Sequence, residues 1–201
     1  MHLLKKIECI LQFLFCFLCM SSEPKRRWEC ELVKDPSSKP TNAIRVIGFS
    51  DTHTKHNDIK KEWFQPADIA IFAGDFSNFG SLDNTNSFKS FFKSLPYKHK
   101  ILIAGNHDLT FDVENRKDVI DRYLRYDQKD YKQVVEKYEE QTGQKIVIEK
   151  HKYNDDALNF IKKQITEDKE LIYLEESSVT IDGLKIYGTP YSPFFCNWGF
   201  P

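Results

Sequence analysis

Three short apolar runs, each broken by glycine and each ending in acid, amide or imidazole, constrain this chain more than any other feature: "AIRVIGFSD" (43–51), "DIAIFAGD" (68–75) and "KILIAGNHD" (100–108). Apolar residues fill both alternate faces of each run, as expected of strands buried on both sides of a parallel sheet. Between the second and third runs, Phe88, Phe91, Phe92 and Leu95 recur at helical spacing. The order is strand, connection, strand, helix, strand. It predicts right-handed crossovers and an α/β fold in which helices flank a parallel or mixed sheet. All three polar clusters then lie at the carboxyl ends of neighbouring strands, where open α/β sheets bind ligands.

The chain has 201 residues, which argues for one domain. With 40% hydrophobic and 29% charged residues it can bury enough apolar surface to fold. Lys plus Arg number 29 and Asp plus Glu 30, so no global field draws the chain to a nucleic-acid polymer, and an anionic substrate must be held by local charge. Residues 1–22 have the layout of a secretory signal or anchor: Lys5 and Lys6, an apolar stretch from Ile7 to Met20, then small residues. Glu8 and Gln12 interrupt that stretch, and a face packed on the domain or a mis-assigned start codon is the plainer reading. The expectation is a secreted or membrane-associated protein, held through residues 5–20, if the segment is a signal, and a cytoplasmic one otherwise. Cys9, Cys16 and Cys19 fall in this leader, which leaves Cys30 and Cys196, too few for a disulfide framework.

Residues 23–43, with Pro24, Pro36 and Pro40 among serines and basic residues, read as a linker to a domain over 44–201. Within that domain, 113–170 reads as a helical insertion. "RKDVIDRYLRYD", "DYKQVVEKYEEQTG" and "NDDALNFIKKQITED" place apolar residues three and four apart, and Gly143 is a C-terminal stop. Further on, Val179 and Ile181, the pair Asp182–Gly183, and Leu184 and Ile186 give the pattern of a two-residue hairpin.

The three strand ends carry the chemistry. Asp51 and His53, one residue apart, share a side in an extended segment and can grip one cation. Asp75 has two carboxylate oxygens and can bridge two cations, and Asn106 offers an amide oxygen to the second. Mixed oxygen and imidazole ligands suit Mn, Fe or Zn, and without thiolates a structural zinc site is disfavoured. Two divalent metal ions about 3.5 to 4 Å apart neutralise phosphate oxygens and lower the pKa of a bound water from about 16 toward 7. His107, left unmetallated, can donate a proton to a leaving oxygen or stabilise charge there, and Asp108 can hold its ring. Gly48, Gly74 and Gly105 give the backbone room to turn there.

Asp-x-His, then Gly-Asp, then Gly-Asn-His-Asp, in that order on strand ends, resembles the calcineurin-like metallophosphoesterase superfamily. "GDFSNFG", "LPYKHKILIAGNHDLTFD" and "IYGTPYSPFFCNWGF" are similar to its metallophosphoesterase domain-containing group. The likeness runs from Ile44 to the last residue, interrupted over 113–170. It implies the two-layered sandwich of that superfamily. It also implies Asp51, His53, Asp75 and Asn106 as metal ligands, His107 as the catalytic histidine, and phosphodiesters, cyclic nucleotides among them, as small phosphoester or nucleotide substrates. The family also takes histidine ligands from later motifs, and none follows His151 here. The resemblance therefore implies a truncated gene model, fragment or splice form, and an inactive binding or regulatory module is the alternative to a phosphodiesterase.

Other residues have plainer readings. Asp51 or Asp75 alone would be a turn cap. His56 reads as a solvated loop residue, and His99 and His151 as surface residues between lysines. Phe194, Phe195, Trp198 and Phe200 read as packing aromatics, with base stacking as the alternative, and Cys196 as an inert thiol.

Overall fold

A computed structural model describes residues 43–115, 128–147, 153–193 and 198–201. The leader, nearly all of the linker, the helix expected over 116–127, and His151, Phe194, Phe195 and Cys196 lie outside the described residues. Among the described residues, no helix is long and apolar enough to cross a membrane.

The three apolar runs form β1 (Val46–Phe49), β2 (Ile69–Ala73) and β3 (His99–Ile103), and β4 (Ile172–Tyr173) joins them. All three pairings are parallel, in the order β1-β2-β3-β4. Val46 pairs with Ile69 and Ile69 with His99, so the three strands run level and finish together. That shared edge is what gathers residues far apart in sequence.

Period-two alternation divides the strand side chains between two cores. Ala70, Phe72, Leu102 and Ala104 face a larger cluster with the helices, whereas Ile69 and Ile101 face a smaller one with Ile181 and Ile186. The larger is built around α1 (Leu82–Ser94), whose first turn is capped by Ser81: the hydroxyl accepts the Asn84 N–H at 3.2 Å. Phe88 and Phe92 on its buried face meet Phe72 and Phe76, and the Phe72–Phe88 and Phe76–Phe88 centroids are 4.5 and 4.8 Å apart. Each such ring contributes about 1.5–3 kcal/mol by leaving water. Two further helices complete the layer, α2 (Gln128–Thr142) and α3 (Asp155–Thr166). Gly143 stops α2 at a φ of 72°, its N–H on the Glu139 carbonyl at 2.9 Å, and the Asn154 side chain caps α3.

The opposite face of the sheet is covered by the hairpin of β5 (Ser177–Ile181) and β6 (Leu184–Gly188), which pair antiparallel. Asp182 and Gly183, at φ of 49° and 85°, make the tight turn that their sequence predicts. The result is the expected α/β architecture, with helices on one side of the parallel sheet and a second small sheet on the other.

Two histidines depart from the sequence reading. His56 is buried, not solvated: its short 3-10 turn (His56–Asp58) docks on α1, where Nε2 lies 2.9 Å from the Ser87 hydroxyl and the ring packs on Phe88 and Phe91. Local polarity around it misled because the covering rings come from thirty residues away. His99 is half-buried, because it opens β3 instead of lying in a surface loop.

Candidate metal centre

Beyond the strand ends, the first two segments stay zipped together. The N–H groups of Asp51, His53 and Thr54 donate to the carbonyls of Gly74, Asp75 and Phe76, each at 3.0 Å. The segment is not extended, as the sequence reading supposed: Asp51, His53, Thr54 and Asp75 have φ of 56°, 40°, 69° and 60°. Four left-handed residues without glycine's freedom cost about 1–3 kcal/mol each, and such clusters mark functional sites. Here they turn the chain so that His53 and Asp75 meet.

Asp75 is the centre of the group. Its Oδ1 accepts the His107 backbone N–H at 2.8 Å, and its Oδ2 lies 3.8 Å from His53 Nε2. The His53 and His107 rings meet edge to face with centroids 4.6 Å apart. Asp75, His53 and His107 each offer one ligand atom, and these atoms all lie within 4.8 Å of one another. The close approach depends on two glycines: a Cβ on Gly105 would lie 2.5 Å from the Asp75 nitrogen, and one on Gly74 would lie 2.7 Å from Gly105 Cα. Gly48, by contrast, is an ordinary paired residue within β1.

Burial chiefly raises the pKa of Asp75, and the neighbouring Asp51 carboxylate adds to this, while the His107 N–H and the two imidazoles pull it down. Among the described residues no Lys or Arg pairs with it. A buried carboxylate next to a second carboxylate and two imidazoles, with no cationic side chain to balance it, is a donor set that a divalent cation would complete. Asp51 itself is exposed, bonded to the Ser50 hydroxyl, and close enough to Asp75 to affect its charge. Asn106 is half-buried next to His107, and its backbone carbonyl accepts the Gly199 N–H at 3.0 Å.

Asp108 has a different job from the one its sequence position suggested. Its carboxylate does not hold the His107 ring. Fully buried, it accepts from Asp75 N and Gly105 N at 2.9 Å, Ser77 N at 3.0 Å and Ser77 Oγ at 2.6 Å. Burial, helped by the charge of Asp75, pushes it up to about 7 even against these donors. Asp108 thus ties the loop after β2 to the loop after β3. The His107 ring is met instead by the Asn78 carbonyl, 3.2 Å from Nδ1, and by the face of Trp198, 3.9 Å between centroids. Sequence reading gave Trp198 packing, with base stacking as the alternative; its stacking on His107 joins residues 91 apart in the chain, and no local pattern signals it.

The sequence profile of calcineurin-like phosphoesterases matches residues 44–191. The chain belongs to the calcineurin-like phosphoesterase family. It is similar to human metallophosphoesterase domain-containing protein 1, with 34% identity over 168 residues, covering 84% of this chain and 44% of that protein. The mouse protein of the same name matches equally. UPF0046 protein T07D4.2 of Caenorhabditis elegans is 31% identical over 166 residues, covering 83% of this chain and 37% of that protein. The phosphoesterase chain thus spans less than half the length of these relatives. The family implies metal-dependent hydrolase chemistry, and His53, Asp75 and His107 form a candidate site for the metal.

Proposed function

We propose that the domain hydrolyses phosphoric diesters, cyclic nucleotides among them, with two divalent ions (Mn, Fe or Zn) held at the strand ends. The observation that carries the reading is the buried Asp75 carboxylate grouped with His53 and His107, with no Lys or Arg paired to it among the described residues. Asp51, His53, Asp75 and the Asn106 amide are the residues that would hold the ions, and Asp75, with two carboxylate oxygens, could serve both. A pair of such ions, when bound, neutralises phosphate oxygens and makes a water molecule acidic enough to supply a nucleophile near neutral pH. The rest falls to the chain. A carbonyl can only accept, so a hydrogen bond to Asn78 needs the His107 proton on Nδ1 and leaves the lone pair on Nε2. Protonated there, His107 donates to the leaving oxygen. Asp108 keeps the two loops in register, and the left-handed turn at Asp51–Thr54 aims His53.

The 4.8 Å grouping also favours a second reading, in which His107 is itself a ligand of one cation together with His53 and Asp75. The variant His107→Ala separates the two. As an acid, its loss lowers kcat by about 100-fold or more and leaves metal content unchanged; as a ligand, its loss removes metal.

The test is hydrolysis of bis-p-nitrophenyl phosphate and 2′,3′-cyclic AMP by the purified chain with Mn(II), with EDTA and His107→Ala as controls. Turnover that EDTA abolishes is expected. Activity that survives both controls refutes the proposal, and an absence of turnover in a metal-loaded protein favours a binding or regulatory module.

A further inference from the structure

We propose that Trp198 is a positioning residue for His107, fixing the plane of the imidazole while the Asn78 carbonyl fixes its tautomer. The two rings lie nearly parallel, 28° apart, with centroids 3.9 Å from each other. Contact at this spacing restricts ring rotation about the side-chain bonds, which an edge contact with His53 alone would not.

Trp198 is in turn held in place by its neighbours. The Gly199 N–H donates to the Asn106 carbonyl at 3.0 Å, and the Phe200 N–H donates to Asp112 Oδ2 at 2.5 Å. The Phe200 carbonyl accepts the Ser192 N–H at 3.0 Å. Phe200 takes a φ of 54° and buries its ring against Tyr191, with centroids 5.8 Å apart. Phe79 adds a second near-parallel contact on Trp198, at 24° and 6.0 Å. The indole is therefore anchored to the same loop, Asn106 to Asp112, that carries His107. An indole stacked on His107 and on Phe79 is a support for the imidazole.

The positioning itself stands on these contacts, whereas its catalytic consequence rests on the proposed hydrolase function. Two readouts keep them apart. In the metal-free full chain with ring-labelled histidine, NMR is expected to show the His107 ring protons shifted upfield by the indole, with the signal assigned by His107→Gln. Trp198→Leu should move them to the positions of an unstacked imidazole, and Trp198→Phe should keep part of the shift. With Mn(II) and bis-p-nitrophenyl phosphate, Trp198→Leu should lower kcat about tenfold with KM within about twofold, and Trp198→Phe should restore most of it. His107 signals unmoved in Trp198→Leu overturn the proposal, as does a change in KM alone. A wild-type chain that turns over no substrate refutes the hydrolase reading, and the NMR comparison still decides the positioning.

Discussion

The most telling residue is Asp108, because its role could not be read from its neighbours. The sequence Gly-Asn-His-Asp suggested a carboxylate orienting an imidazole, yet the carboxylate accepts from four donors, three of them on residues 75 and 77. Removing it leaves buried N–H groups without partners, each costing about 1–3 kcal/mol. Asp108→Ala is therefore expected to lose about 3 kcal/mol or more of stability in urea denaturation. Asp51→Asn, at an exposed position, should lose no more than about 0.5 kcal/mol. Equal losses would contradict these roles. His53, Asp75 and His107, whose ligand atoms the fold brings within 4.8 Å of one another, were legible as members of a polar set, since the spacing of strand ends is written in the chain. The left-handed turn that brings His53 to Asp75 was not, because it depends on hydrogen bonds to a strand twenty residues on.

Elements were the most legible level, where a period or a turn signal is local. The hairpin follows from Asp182–Gly183 between alternating apolar residues, and α1 from the phenylalanine spacing behind Ser81. Gly183→Ala should cost about 1 kcal/mol, because φ is 85° there, and thermal unfolding should show it without any change in metal affinity. The short turn at His56 was illegible, since its burial comes from α1 packing over it. Burial lowers the His56 pKa below its usual 6.5, with Asp58 opposing, so the unfolded chain takes up the proton first. The stability carried by neutral His56 is present above about pH 6.5 and lost as pH falls below it. In thermal melts between pH 7.5 and 5, His56→Gln should show a shallower loss than the wild type. A parallel loss would contradict the burial.

At the scale of the whole molecule, the level endings of β1, β2 and β3 bring three separated motifs to one edge, and helices cover one face of the sheet and a hairpin the other. This convergence was foreseeable from the alternation of strands and connections. The stacking of Trp198 on His107 was not, since a contact between residues so far apart leaves no period in the sequence. On the proposed function, these strand ends bind a divalent cation through Asp75. Isothermal titration of the purified chain with Mn(II), wild type against Asp75→Asn, tests it most directly. Saturable binding in the wild type, weakened at least about tenfold in Asp75→Asn, is the predicted result; equal affinity in the two proteins, or no binding by the wild type, would contradict it.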